Sequence, residues 1–164
     1  VSQNIAQAIV GEPISDRRLV VEPLFEENLV AVVAPGTKLT RKEINIAKLA
    51  EFPLILPPAG NPLRAEVDRA ARDADIEINV KVEVEGIRLL GDLVSAGLGV
   101  SVLPVSVAKS YEHVRSVRIT DMPPRQVALV KSRDYELSLA DAAMTEIIRN
   151  VVARSFGKSK RGRH

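Results

Sequence analysis

The stretch at residues 89–108, LLGDLVSAGLGVSVLPVSVA, decides how this chain folds. Leu89, Leu90, Leu93 and Val94 recur at helical spacing, Ala96-Gly97-Leu98-Gly99 breaks that period, and Val100, Val102 and Leu103 form a short apolar run. The pattern predicts a helix, a glycine stop and a buried strand that Pro104 closes. Gly97 stands where helices commonly end in a left-handed residue, and Gly99 is expected to let the strand start close against the helix it has just left. A helix feeding straight into a wholly apolar strand is half of a βαβ unit, and such strands lie in parallel sheets covered on both faces. The stretch therefore predicts α/β architecture.

Composition narrows the class. The chain has 164 residues, 46% of them hydrophobic, enough for one packed domain or two small ones. Aromatic residues make up only 3% and Trp is absent, which argues against base-stacking platforms and sugar-binding shelves. No Cys is present, so disulfides, thiolate metal sites and cysteine nucleophiles are excluded, in keeping with a reducing compartment such as the cytoplasm. The formal charge is +2, but Lys158, Lys160, Arg161 and Arg163 crowd the C-terminus, and setting them aside leaves 19 Lys and Arg against 21 Asp and Glu. The body is not basic; residues 157–164 read as a basic, disordered tail. No run approaches a membrane span, and no signal-peptide pattern opens the sequence, so we expect no membrane role.

Working outward, residues 5–10 (IAQAIV) read as a strand and 25–33 (FEENLVAVV) as a strong one, ended by the turn residues Ala34-Pro35-Gly36-Thr37. Short helical turns at 44–50 and a buried strand PLIL at 53–56 follow. The segment Pro57-Pro58-Ala59-Gly60-Asn61-Pro62 then leads into LRAEVDRAARDA, with Asn61 placed to cap and Pro62 suited to the first turn. Free backbone N–H groups of that turn would face the carboxyl end of the sheet, where open α/β folds bind ligands. A plain strand-to-helix loop fits the same residues. Ile78, Val80, Val82 and Val84 alternate with polar residues as an edge strand does, and Gly86-Ile87-Arg88 opens the next helix as a second such junction. Strands at 115–120 and 126–131 are followed by a last helix, opened by Ser138 and Asp141 in capping-box spacing. Its expected apolar stripe is Leu139, Ala142, Ala143, Ile147, Val151 and Val152.

This order implies that the chain leaves one lobe near Ala34, builds a second, and returns near Lys131. We expect residues 1–34 with 132–156 to form lobe I and residues 35–131 lobe II, as two Rossmann-like βαβ lobes joined by two hinge strands. Ligands in such a clamshell lie between the lobes. Lobe I would own too few strands to bury a sheet, so we expect it to be incomplete, with upstream material absent.

PLFEENLVAVVAPGTKL, LAEFPLILPPAGNPLR, VEVEGIRLLGDLVSAGLGVSVLP and MPPRQVALVKSRDYELS, in this order, resemble the effector-binding domain of LysR-type transcriptional regulators. The resemblance covers residues 5–152 and implies a two-lobed α/β fold like type 2 periplasmic binding proteins, with a small metabolite between the lobes. It further implies a homodimer or tetramer, paired through the helix at 63–74 or at 89–96 and the outer strands, in a protein that touches DNA only through an N-terminal winged helix-turn-helix absent here.

By position, the resemblance places Gly11 and Glu12, Pro58, Ala59, Gly60 and Asn61, and Glu85, Gly86 and Ile87 near the effector. Glu12 argues against a simple dicarboxylate and is equally read as a solvated loop carboxylate. Arg64 is placed to reach an anion or to pair with a neighbouring acid.

The only histidines are His113 and His164, so no His pair marks a metal site and no cofactor is implied. GLGV lacks the Lys and hydroxyl of a phosphate loop, and no nucleophile elbow is present, so we expect no enzyme. A solute-binding protein or an enzyme on the same clamshell is the other class; an export signal upstream would mark the former and a winged helix the regulator.

Overall fold

The computed structural model describes residues 7–11 and 14–157 and divides the chain into two compact units. The first unit holds Val1–Glu26 with Arg125–His164, and the second Glu27–Pro124. The chain opens with β1 (Gln7–Gly11), β2 (Leu19–Glu27) and β3 (Leu29–Val33). It continues through β4 (Glu43–Ile44), α1 (Ile46–Ala50), β5 (Leu54–Leu56), α2 (Pro62–Asp73) and β6 (Val80–Glu83). Then come α3 (Ile87–Ser95), β7 (Ser101–Pro104), α4 (Val105–Ala108) and β8 (Arg115–Ile119). The last elements are β9 (Arg125–Ser132) and α5 (Leu139–Phe156).

The chain passes between units at Glu26–Glu27 and Pro124–Arg125, seven to eight residues earlier than expected near Ala34 and Lys131. Pairing accounts for the shift. The apolar run at 25–33 is not one strand: Asn28 interrupts it, β2 joins the first unit's sheet, and β3 lies between β7 and β8 in the second. All five residues of β3 are buried. Likewise β9 pairs with β1, from Gln7 with Lys131 to Gly11 with Val127, which binds 125–131 to the first unit.

In the second unit, β4, β8, β3 and β7 form one sheet, and β5 and β6 a second that is joined to it by a parallel bridge between Leu54 and Val100. The expectation of a wholly parallel sheet fails at one strand. β3 runs antiparallel to both β7 and β8, because it enters from the other unit instead of from a crossover helix. The pairs β4 with β8 and β5 with β6 are parallel, and β6 ends its sheet as its alternating pattern predicted.

Leu63, Val67 and Ala71 of α2 and Leu90 and Val94 of α3 are buried with β3, β5 and β7 in one core. Removing each such Leu or Val side chain from water favours the fold by about 1.5–3 kcal/mol. Gly97 has φ 77°, the left-handed stop that the sequence implied after α3. Gly99 also allows close approach, but to a different neighbour: a Cβ there would lie 2.6 Å from the Pro53 carbonyl oxygen, at the start of β5, instead of meeting α3. Val100 N–H donates to that same oxygen at 2.9 Å, which locks β7 beside β5.

In the first unit the sheet order is β1-β9-β2, with Val127–Val130 of β9 buried. Helix α5 starts at a capping box, in which the Ser138 hydroxyl accepts from Asp141 N–H and the Asp141 carboxylate accepts from Ser138 N–H. Its expected apolar stripe is not the buried one. Leu139 is 92% exposed and Ile147 and Val151 are more than half exposed, whereas Thr145 is buried and Phe156 stacks on Phe25 of β2 with ring centroids 3.8 Å apart. Among the described residues no helix is long and apolar enough to cross a membrane. The basic tail expected at 157–164 lies, from Lys158 onward, outside the described residues.

Candidate functional site

Strands β5 and β6 are adjacent and parallel, with Leu56 opposite Glu83, so the two segments leaving their carboxyl ends lie side by side. One is Pro58, Ala59, Gly60 and Asn61, entering α2; the other is Glu85, Gly86 and Ile87, entering α3. Seven of the nine residues expected near an effector thus fall in one place. Pro58 is half-buried, and Ala59 to Asn61 and Glu85 to Ile87 are exposed, as residues that meet a ligand must be. Gly60 and Gly86 have φ 93° and 98°, values that a residue with a Cβ rarely adopts.

The two helix entrances differ in what they leave open. At α2, Asn61 caps as expected: its Oδ1 accepts from Leu63 N–H at 2.9 Å, while Asn61 O accepts from Ala65 N–H at 3.0 Å. Pro62 has no N–H, so the first turn of α2 has most of its donors already absent or taken, which corrects the expectation that this turn offers free amides. At α3 the N-cap is Gly86, which provides no side-chain hydrogen bond. The donors free for an oxygen-bearing ligand are therefore those of α3, with the favourable end of the helix dipole behind them.

Arg64 joins the two junctions. Its Nη1 donates to the Pro57 carbonyl at 3.1 Å and to Glu83 Oε1 at 2.8 Å, and its Nε to Asp68 Oδ1 at 2.8 Å. Only 14% of its side chain is exposed. The carboxylates of Glu83 and Asp68 hold the guanidinium protonated beyond its ordinary range. Of the two roles open to Arg64, pairing with neighbouring acids is the one realised; it positions the loop instead of waiting for an anion. Tyr111 supports α3 in a similar way, its hydroxyl donating to the Ile87 carbonyl at 2.8 Å. Burial, and then the charge of Asp92, push the Tyr111 hydroxyl above its usual pKa.

Gly11 ends β1 in the first unit, and Glu12 lies outside the described residues. Against Gly11 stands the Arg125 guanidinium, 3.0 Å from where a Cβ would be. Sequence reasoning missed Arg125 and Tyr111. Arg125 is brought to Gly11 by the pairing of β9 with β1, and Tyr111 to α3 by a chain reversal after β7; neither leaves a motif in the sequence. His113 is exposed, and no group of three His, Cys, Asp or Glu suited to a metal ion occurs among the described residues.

Comparison with known proteins gives this site its context. The model of the LysR substrate binding domain matches residues 6–153. The nitrogen assimilation regulatory protein nac of Klebsiella aerogenes is 31% identical over 141 residues, covering 83% of this chain and 45% of that protein. The probable hydrogen peroxide-inducible genes activator of Mycobacterium leprae is 27% identical over 111 residues, 66% of this chain and 35% of the relative. The chain thus spans less than half the length of the curated relatives it matches.

Among solved structures, the effector-binding domain of QuiR in complex with shikimate superposes with a TM-score of 0.79 at 23% identity, covering 92% of this chain and 73% of that one. The regulatory domain of Synechocystis CcmR in complex with 2-PG gives 0.82 at 19% identity, with 93% and 76% covered. These likenesses show the fold, that of type 2 periplasmic-binding-protein-like regulatory domains. With the family match across nearly its whole length, the chain belongs to the LysR substrate binding domain family.

Proposed function

We propose that this chain is the ligand-sensing part of a LysR-type transcriptional regulator, and that a small polar metabolite is held at the entrances of α2 and α3. One observation carries the reading: two strand-to-helix junctions leave the carboxyl ends of neighbouring parallel strands, tied together by Arg64, with the first turn of α3 uncapped. An oxygen-bearing group suits those amides. The solved relatives in complex with shikimate and 2-PG support a small oxygen-rich ligand class. Gly11 and Glu12 belong to the same proposal as contacts from the first unit.

In this reading the metabolite shifts a homodimer or tetramer between two arrangements, by as much as its affinities for them differ, and so alters how DNA-binding segments outside this chain sit. The named relatives are regulators and not enzymes, and we assign no catalytic step to this chain and a cytoplasmic place to the protein.

The test is a thermal-shift screen with hydroxylated acids, amino acids and aromatic acids on the native protein and on variants at Gly60, Asn61, Gly86 and Ile87. A ligand at 100 times its Kd adds about 2.7 kcal/mol. A saturable shift lost in the Gly86 and Asn61 variants is expected; a shift that survives all four variants would place the ligand elsewhere.

A further inference from the structure

Helix α5 has two apolar rows, and the first unit uses one of them. Thr145, Ile148, Val152 and Phe156 form the less exposed row: Thr145 Oγ1 donates to Gln7 Oε1 at 2.8 Å, and Phe156 lies on Phe25. Met144, Ile147 and Val151 form a second row, about 100° round the helix from the first, and these side chains are 51%, 56% and 54% exposed.

The side to which this second row looks is fixed by Arg149, which sits on the opposite flank. The Arg149 guanidinium reaches Glu22 of β2 through two bonds of 2.8 Å. Because the sheet order is β1-β9-β2, the flank away from β2 overhangs the side of β1. Among the described residues β1 ends the sheet there. Ile9 shares a strand face with Gln7, whose side chain bonds to α5, so Ile9 also stands on the helix side, and it is 53% exposed. Ile9, Met144, Ile147 and Val151 therefore border one apolar inside corner, between a helix flank and a sheet face, with an open strand edge beside it.

We infer that this corner is filled by a further strand and an amphipathic helix of the same polypeptide, the strand pairing with the outer edge of β1 and the helix lying beside α5 over Ile9. The shape favours this occupant over a second copy. A two-fold interface would set one inside corner against an identical one, and two concave corners do not fill each other. The matched domains agree: this chain spans 73% and 76% of the QuiR and CcmR regulatory domains, so about a quarter of such a domain lies beyond it. That is room for a strand and helix leading into β1, which as a βαβ unit takes about 30 residues or more. The inference stands apart from the ligand site and concerns only the first unit.

The test compares the 164-residue chain with the native polypeptide that includes the residues preceding Val1, each with and without Ile147→Asp. In the longer polypeptide, amide exchange across β1 is expected to slow at least ten-fold, and I147D to lower the folding equilibrium constant at least ten-fold. In the 164-residue chain, I147D is expected to leave the denaturation midpoint in place and to reduce binding of an apolar dye. If I147D abolishes folding of the longer form, Ile147→Ala replaces it with the same expected direction. Unchanged exchange at β1 on extension, or a neutral I147D in the longer form, overturns the inference. So does a dimer of the shorter chain that I147D dissociates, since a second copy would then be the occupant.

Discussion

Gly91, in the middle of α3, faces Tyr111 so closely that a Cβ there would come within 2.1, 2.2 and 2.7 Å of three ring carbons. Ordinary contacts of this kind begin near 3.4 Å, so Gly91→Ala forces an overlap of more than 1 Å unless the ring leaves. The ring is anchored at its far end by the 2.8 Å bond from its hydroxyl to the Ile87 carbonyl, at the entrance of α3. Moving it forfeits that bond, worth about 0.5–1.5 kcal/mol, and uncovers part of a half-buried ring. Overpacking of this kind costs about 1–3 kcal/mol, against a helix-propensity gain from Gly to Ala of about 1 kcal/mol. We expect G91A to destabilise the domain by about 1–2 kcal/mol, the difference between those effects. In a Tyr111→Ala background the clash is gone, and the same substitution should be neutral or stabilising by up to about 1 kcal/mol. Urea unfolding of the two single variants, the double variant and the parent gives the coupling energy directly. If G91A costs the same with and without the ring, Gly91 is required by something other than Tyr111 and the reasoning fails.

Arg64→Met should cost about 2 kcal/mol, from the lost bond to the Pro57 carbonyl and two partly exposed ion pairs, and should weaken ligand binding; chemical denaturation and the thermal-shift screen read both effects. Gly86→Ala meets no neighbour within 4 Å, so its cost should come from backbone strain at φ 98° alone, about 1–3 kcal/mol, seen as a lower denaturation midpoint without change of its slope. The Arg149 hydrogen bond holds the Glu22 carboxyl below its ordinary pKa, so its contribution to stability is present above about pH 4.3 and is lost as pH falls through the folded value. Arg149→Ala should remove that part of the acid sensitivity, measured as the unfolding midpoint between neutral and acid pH. Tyr111 is shifted the other way, so in the folded domain its phenolate absorbance should appear at higher pH than in urea; equal titrations would contradict its burial.

Much of the second unit was legible residue by residue, because its signals are local. Asn61 and Pro62 announce the start of α2, Leu63, Val67 and Ala71 its buried face, and Gly97 the stop after α3, all within a few turns of the residues they act on. Placing Pro58 to Asn61 beside Glu85 to Ile87 followed from reading two strand-to-helix junctions in one parallel sheet, and β5 and β6 are adjacent in that way. Which junction keeps open amides was not legible, since Asn61 and Pro62 favour the helix start by using or removing the very donors a ligand would need. The apolar residues of α5 were visible, but not which row faces the sheet: Ile147 and Val151 are as apolar as Ile148 and Val152.

The amino-acid sequence by itself determined the α/β class, the order of elements, the helix caps and the two loops of the candidate site, because hydrophobic period and capping chemistry act over three or four residues. Tertiary structure alone decided where the chain changes units, that β3 runs antiparallel to its neighbours, that Gly99 meets Pro53, and that Tyr111 and Arg125 stand at Gly91 and Gly11. Each of these joins segments far apart in the chain, and such pairings are selected by the fit of whole surfaces, for which no short stretch of sequence holds the information.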